Sequence, residues 1–222
     1  MIRAVFFDAS GVLYDRARPT EEFAEEFVRA AGFVRAPDAA ERARQGELRH
    51  AATIGAADHL AYWRHFLRVR GVPAGERERE LLEAILAQND RVHAKPGGRE
   101  TLGGLRARGI LTGAITDTMY PLASKLRWLA AAGVEGLFDV FVCSSAVGVR
   151  KPDPLIYARA LAAAGVAAHE AIFVGHAVHE LEGAAAVGMT TAAVYPDPGA
   201  RGDYQLAALT ELLDLPPLVP AP

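Results

Sequence analysis

The sequence predicts an α/β protein in which a Rossmann-like, doubly wound parallel sheet carries a separate all-helical domain. Two patterns support this prediction. Short apolar runs rich in β-branched and aromatic residues alternate with helical segments in residues 1–16 and 93–222, and the stretch between them is helical in pattern. Buried runs that alternate with helices are typical of a parallel sheet covered on both faces. We therefore expect a core domain of residues 1–16 plus 93–222 and a helical domain, here called the cap, of residues 17–92.

The N-terminal part of the sequence predicts the first strand of the core and the helices of the cap. Val5 to Phe7 form an apolar run that ends on Asp8, and Gly11 then provides a turn. Apolar residues recur at helical spacing in the cap, and Thr20 is the predicted N-cap of its first helix. The helical segments are TEEFAEEFVRAAGF, HLAYWRHFLRVRG and ERERELLEAILAQND.

The C-terminal half returns to alternating strands and helices. Each predicted helix ends at a glycine, as helices often do: Gly109, Gly133, Gly165 and Gly188. The predicted strands are ILTGAITD (110–117), FDVFVCSS (138–145), EAIFVG (170–175) and TTAAVY (190–195). We expect the last segment, LPPLVPAP (215–222), to be a frayed tail.

Composition narrows the classes of function. The 222-residue chain has a net charge of -3 and no basic block, so nucleic-acid binding through phosphate neutralisation is not expected. No apolar stretch reaches the 18 residues that a membrane helix needs, and the N-terminus reads as a buried strand rather than a signal peptide. The single cysteine, Cys143, excludes an internal disulfide. A cytoplasmic location is expected, and the oligomeric state is left open.

Chemically useful side chains follow four of the predicted strands. In an open parallel sheet, ligands bind beyond the carboxyl ends of the strands. An aspartate there can attack phosphorus or carbon, and a lysine beside it can neutralise a transferring phosphoryl group. The candidates, in chain order, are Asp8 and Ser10, Thr116 and Asp117, Lys151, and His176 with Glu180.

Four stretches in this order resemble the motifs of the haloacid dehalogenase superfamily of phosphatases and related hydrolases. They are FFDASGVLYD, GAITDT, SSAVGVRKPDPLIYARAL and AIFVGHAVHELEGAAAVGM. The resemblance implies a hydrolase of the phosphatase type acting on a small phosphate ester or related anionic molecule. It also implies that Asp8 is the nucleophile, that Thr116, Asp117 and Lys151 hold the anion, and that the cap covers the site and selects the substrate.

Two departures from the family pattern bear on the chemistry. Ser10 stands where the phosphatases of the family usually place a second aspartate, the general acid and base. The fourth motif reads GHAVHE, with His176 and Glu180 where the family usually has acids that hold Mg²⁺. The resemblance implies a Mg²⁺ site at Asp8, the Ser10 carbonyl and Glu180. Imidazole suits Mg²⁺ poorly, so we expect weakened Mg²⁺ binding and weak turnover, with a softer metal on His176 as the alternative.

Two other functions stay open from the sequence. One is metal-independent, dehalogenase-like hydrolysis at carbon, with His176 or Glu180 activating water. The other is a non-catalytic binding or regulatory protein that captures an anion at Asp8, Thr116 and Lys151 without turnover. A Schiff-base mechanism through a cap lysine is excluded, because residues 15–92 contain no lysine.

Three further features of the sequence concern the surroundings of the predicted site. Arg16 and Arg18 follow the first motif and are expected to be solvated, with contact to an anionic substrate as the alternative. The segment HLAYWRHFL is expected to pack its aromatic side chains into a core, with a substrate-facing lid as the alternative. Only three of the 24 lysine and arginine residues are lysines, which makes the positions of Lys95, Lys125 and Lys151 informative.

Overall fold

The computed structural model describes residues 1–218. Its strands are β1 (Ala4–Phe7), β2 (Tyr14–Arg16), β3 (Val92–Ala94), β4 (Leu111–Thr116), β5 (Val140–Cys143), β6 (Ala171–Gly175), β7 (Thr190–Val194) and β8 (Tyr204–Leu206). Its α-helices are α1 (Thr20–Ala30), α2 (Ala39–Thr53), α3 (His59–Arg68), α4 (Glu76–Asn89), α5 (Gly98–Ala107), α6 (Leu122–Ala131), α7 (Ser144–Val147), α8 (Pro154–Ala164) and α9 (Val178–Ala186). Short 3-10 helices cover Ala168–Glu170, Leu209–Asp214 and Pro216–Leu218.

Six strands form one parallel sheet in the order β5-β4-β1-β6-β7-β8. The predicted fold class is thus confirmed. Strand β1 lies in the middle, and its last residue, Phe7, pairs with Ala114 of β4 and Val174 of β6. The chain crosses to opposite sides of β1 in forming β4 and β6, which makes the carboxyl end of β1 the switch point where open α/β sheets bind ligands.

The two faces of the sheet pack against different helices. Along β1, Val5 and Phe7 join a hydrophobic cluster that contains residues of α5 and α6, whereas Ala4 and Phe6 join a second cluster with residues of α8 and α9. Side chains alternate between the faces of a strand, so burial on both faces requires a continuous apolar run. This explains why the segment before Asp8 reads AVFF.

Helices α1 to α4 lie between β2 and β3, which pair with each other as a two-stranded antiparallel ribbon. The ribbon joins the helical segment to the sheet and was missed at the sequence level, because three-residue strands carry little pattern of their own. The limits of the cap, residues 17–92, remain a prediction. We note that the structure places Val92 within β3.

The structure corrects several local predictions. Thr20 is the first residue of α1 rather than its N-cap, and its hydroxyl donates to Asn89 Oδ1 (2.9 Å). The predicted strand 138–145 ends at Cys143, where α7 begins. Strand β8 was not predicted. In the predicted frayed tail, Leu215 and Leu218 are buried against the core, and residues 219–222 lie outside the described part.

Candidate active site

Asp8 is buried at the centre of the carboxyl edge of the sheet. It directly follows β1, and its backbone N–H donates to the Val174 carbonyl of β6 (2.8 Å). This bond extends the β1–β6 pairing by one residue and fixes the start of the turn. The carboxylate therefore emerges between the ends of β4 and β6, where the other predicted site residues lie.

Lys151 joins two carboxylates at this edge. Its side chain is fully buried, and its Nζ lies 2.5 Å from Asp8 Oδ1 and 2.6 Å from Glu180 Oε1. Burial alone would lower the pKa of the ammonium, but the charges of Asp8, Glu180 and Asp117 outweigh it and raise the pKa. Lys151 is thus a fixed positive charge, and its hydrogen bond to Asp8 goes to Oδ1 and not to Oδ2.

Glu180 lies in the first turn of α9. Burial and the nearby Asp8 charge raise the pKa of its carboxyl group, while Lys151 acts in the opposite direction. Its Oε2 is buried and has no hydrogen-bond partner among the described residues. The backbone is held by Tyr157, whose hydroxyl donates to the Glu180 carbonyl (2.7 Å).

Thr116 and Asp117 bring the end of β4 to the same place. The Thr116 hydroxyl is buried and finds no partner within residues 1–218. A buried hydroxyl without a hydrogen bond is destabilising, and at the carboxyl end of β4 this one is placed to donate to a ligand of the sheet edge. Asp117 accepts a hydrogen bond from the backbone N–H of Lys151 (3.2 Å), and burial raises the pKa of its carboxyl group.

Ser10 and Gly11 form the turn after β1, and His176 packs against it. Gly11 has φ +87°, and a Cβ at this position would lie 2.6 Å from His176 Nε2. Glycine is therefore required both for its backbone conformation and for the close approach of the ring. His176 Nε2 lies 3.9 Å from Asp8 Oδ2, which is beyond hydrogen-bond distance.

Asp197 is a site residue that the sequence analysis missed. Its Oδ1 lies 3.3 Å from His176 Nδ1, and its backbone N–H donates to the His176 carbonyl (2.9 Å). A carboxylate on one ring nitrogen sets the tautomer and leaves the other nitrogen for chemistry. Asp197 follows β7, so the rule applied to the other strand ends also pointed to it.

The residues of this site do not fit Mg²⁺. Asp8, His176 and Glu180 each offer a ligand atom, and these atoms lie within 4.8 Å of one another, so a cation-sized cluster exists. One of the three donors is an imidazole nitrogen, however, whereas Mg²⁺ requires an octahedron of oxygen ligands. Lys151 already neutralises one oxygen of each carboxylate.

A cavity of about 500 Å³ opens beside these strand ends. Its lining includes Ser10 and Asp117 from the sheet edge and Trp63 from α3. Tyr62, Trp63 and Phe66 are buried, which agrees with the predicted core face of α3. Trp63 also lines the cavity, so this one residue fits the alternative of a substrate-facing lid as well.

The arginines after the first motif behave differently from each other. Arg18 is exposed and pairs with Glu26 (2.7 Å), as expected of a solvated charge. Arg16 lines the cavity and stacks on Trp128, with its guanidinium carbon 4.1 Å from the ring centre. The prediction that Arg16 is solvated is therefore wrong, because the aromatic face of α6 draws its side chain inward.

A buried carboxylate held by a lysine at the switch point of a parallel sheet, beneath a helical insertion, defines a hydrolase-type site. A sequence model of the haloacid dehalogenase-like hydrolases matches residues 2–188. Glyceraldehyde 3-phosphate phosphatase of Methanopyrus kandleri is 31% identical over 97% of each chain. The chain therefore belongs to the haloacid dehalogenase-like hydrolases and is a phosphatase-like member.

Two further comparisons agree with this assignment. Phosphoserine phosphatase of Thermus thermophilus is 35% identical over 58% of this chain and 50% of that protein. The crystal structure of 2-haloacid dehalogenase from Pseudomonas syringae has a TM-score of 0.70 at 24% identity, covering 96% of this chain and 97% of that one. The latter likeness shows the fold alone.

None of the helices within residues 1–218 has the length and apolarity needed to span a bilayer.

Proposed function

We propose that this chain hydrolyses small phosphate monoesters through a covalent intermediate on Asp8. One observation carries the proposal: Lys151 hydrogen-bonds Asp8 Oδ1 at 2.5 Å and not Oδ2, at the same sheet edge where β4 ends on the unpartnered hydroxyl of Thr116. An oriented carboxylate with a free oxygen is a nucleophile, and an orphan hydroxyl beside it is a donor for a phosphoryl oxygen. The names of the two phosphatase relatives support a small anionic substrate.

In the first half of the reaction, Asp8 Oδ2 attacks phosphorus and the bond between phosphorus and the ester oxygen breaks. Lys151 is fully buried, so its charge acts at close to full strength on the transferring group. Thr116 donates a hydrogen bond to a phosphoryl oxygen. The leaving oxygen takes a proton from protonated His176 at Nε2, in the role that Ser10 cannot fill.

In the second half, neutral His176 accepts a proton from water at Nε2. The water oxygen attacks phosphorus, the bond to Asp8 breaks, and inorganic phosphate leaves with both side chains restored. Asp197 supports this role because it occupies Nδ1 and so turns Nε2 toward Asp8. The donor set does not suit Mg²⁺, and no step in this scheme requires it.

A second candidate is displacement at carbon, as in hydrolytic dehalogenation. The imidazole at position 176 favours it, because attack on carbon needs no metal to neutralise a phosphoryl group. Asp8 would form an ester with the substrate carbon while halide leaves as an anion, a step that needs no proton. The His176–Asp197 pair would act only in the second half, where His176 accepts a proton from the water that hydrolyses the ester. Release of halide from a 2-haloacid, in place of phosphate from an ester, separates the two functions.

The test is phosphate release from a panel of small phosphomonoesters by wild type, Asp8→Asn and Asp15→Asn. Asp15 lies in β2, shortly after that turn; its side chain is half-exposed and pairs with Lys95 (2.5 Å), so it is the control. We expect wild type and Asp15→Asn to turn over and Asp8→Asn to be inactive. Equal rates for wild type and Asp8→Asn would contradict the role of Asp8. A wild type that releases no phosphate would favour halide release or the non-catalytic alternative.

A cytoplasmic location stays a prediction.

A further inference from the structure

Lys125 is a buried cation for which the described residues supply no carboxylate partner. Its side chain lies in α6 and the residue is 2% exposed. The one hydrogen bond of its Nζ within residues 1–218 goes to the Tyr14 hydroxyl (3.0 Å). An ammonium group has three donors, so two remain for another acceptor. Burying a charge without an opposite charge is unfavourable, which calls for a reason.

The other two lysines show what Lys125 lacks. Lys151 contacts two carboxylates, and Lys95 lies 2.5 Å from Asp15. Most basic residues of the chain are arginines, and two of its three lysines form ion pairs with carboxylates. Lys125 differs from both, since within residues 1–218 it faces only an aromatic hydroxyl and the rings of Tyr14 and Trp128.

Arg16 is a second cation that lines the same cavity, and it is half-buried. Its Nη1 donates to the Asn89 carbonyl (2.6 Å), and no carboxylate of the described chain forms an ion pair with it. Burial lowers the pKa of the guanidinium. Trp128 is close to both cations, with the Arg16 guanidinium carbon 4.1 Å and Lys125 Nζ 5.7 Å from the ring centre. Donors of both groups remain for an acceptor.

Both cations line the cavity that also reaches Ser10 and Asp117 at the ends of β1 and β4. A small molecule can therefore meet the sheet edge and the two cations in one continuous space. Ammonium and guanidinium groups bind carboxylate and phosphate oxygens through strong, charge-assisted hydrogen bonds.

We propose that Lys125 and Arg16 form a second oxyanion site, which selects substrates that carry a carboxylate or a second phosphate apart from the ester phosphate. The placement of this site relative to the reaction rests on the proposed function. Its anion binding does not, because the two cations need no turnover to hold a ligand.

The first experiment measures binding to wild type without catalysis. Non-hydrolysable phosphonates are titrated: 3-phosphonopropionate and propane-1,3-bisphosphonate, against propylphosphonate, which lacks the second anion. Of the two tryptophans of the chain, Trp63 lines the cavity and Trp128 stacks against the cavity residue Arg16, so intrinsic fluorescence reports binding. We expect at least one of the two probes with a second anionic group to bind about tenfold more tightly than propylphosphonate. That is the factor of one charge-assisted hydrogen bond. Equal affinities for all three probes would overturn the proposal.

The carboxylate and bisphosphonate probes identify the anion. Preference for the first assigns a carboxylate, and preference for the second assigns another phosphate. Lys125→Met removes the charge but keeps the length, and Arg18→Gln is the control because Arg18 is exposed and pairs with Glu26. The preference should vanish in Lys125→Met and persist in Arg18→Gln. Its persistence in folded Lys125→Met, as judged by circular dichroism, would contradict the assignment.

The two proposals fail in different ways. If wild type prefers a phosphonate with a second anionic group but releases no phosphate from any ester, the phosphatase proposal fails and the oxyanion site stands. If wild type hydrolyses esters but binds all three phosphonates equally, the phosphatase proposal stands and the oxyanion site fails.

Discussion

Asp197 holds His176 at two points: its backbone N–H donates to the His176 carbonyl at 2.9 Å, and its carboxylate lies 3.3 Å from Nδ1. The ring is thereby fixed with Nε2 toward Asp8. In this family member, an imidazole–carboxylate pair stands beside Asp8, the proposed nucleophile, where the resemblance led us to expect acids and Mg²⁺. In the proposed mechanism this pair is the proton donor and acceptor that Ser10 does not provide.

We predict that His176→Gln lowers kcat for phosphate release by about 100-fold, the usual contribution of a general acid and base. Asp197→Asn should lower kcat by about tenfold, since it removes the negative charge that lies 3.3 Å from Nδ1. KM should change little in both, because neither residue holds the substrate. Asp214→Asn is the control, an exposed aspartate in the last part of the described chain. A rise in KM at constant kcat would assign His176 to binding instead.

Lys151→Met should destabilise the protein by about 3–5 kcal/mol at pH 7, because it leaves Asp8 and Glu180 buried without their counter-ion. The pKa of Glu180 is already raised by burial and by Asp8, and the variant loses the lowering effect of Lys151. A carboxyl group with a raised pKa binds its proton more readily when folded, so stability increases as the pH falls through that pKa.

Urea unfolding of Lys151→Met at several pH values checks this prediction, which requires partial recovery of stability as the pH is lowered from neutrality. Lys95→Met is the matched control. Its ion pair with Asp15 has the same 2.5 Å distance but is partly exposed, so its loss should have an effect of at most about 1 kcal/mol. Equal losses in the two variants would show that burial of the Lys151 pair has no energetic consequence.

Thr116→Val should weaken binding of inorganic phosphate without destabilising the fold. The Thr116 hydroxyl has no partner in the described chain, so its removal loses no hydrogen bond and should stabilise the protein by up to about 1 kcal/mol. Thr101→Val is matched, because Thr101 in α5 also has a buried, unpartnered hydroxyl. Calorimetric titration with phosphate separates them: only Thr116→Val should bind more weakly. Unchanged binding in Thr116→Val would remove Thr116 from the site.

Gly11→Ala should be more harmful than an ordinary substitution at a left-handed glycine. Alanine at positive φ costs about 1–2 kcal/mol, and here the new methyl group also meets the His176 ring at 2.6 Å. Gly109→Ala is the control, with φ +73° and nothing within 4 Å of its Cβ. Thermal unfolding and phosphate release should both show a larger loss in Gly11→Ala. The same losses in both variants would mean that the ring moves aside freely.

Much of the site could be predicted from the sequence, because it follows from topology. Asp8, Thr116, Lys151 and His176 are far apart in the chain, but each lies at or beyond the carboxyl end of a strand of one parallel sheet, and these ends meet at one edge. The apolar runs that identify these strands are buried on both faces, which makes their pattern strong.

The missed features have weak or non-local signals. The strands β2, β3 and β8 are three residues long and exist through pairing with distant partners. Arg16 was expected in solvent, yet its position depends on Trp128, which lies more than a hundred residues later in the sequence. The burial of Lys125 likewise depends on Tyr14 of a different element and cannot be read from helical periodicity.

The most direct test of the account is the rate of phosphate release by wild type in excess EDTA, compared with the rate after Mg²⁺ is added back. The His176–Asp197 pair predicts that the EDTA rate is retained and that Mg²⁺ does not raise it. The double variant Ser10→Asp with His176→Asp should instead require Mg²⁺, since its donors are oxygens. A wild type that is inactive in EDTA and restored by Mg²⁺ would contradict the account, because His176 would then coexist with a working magnesium site.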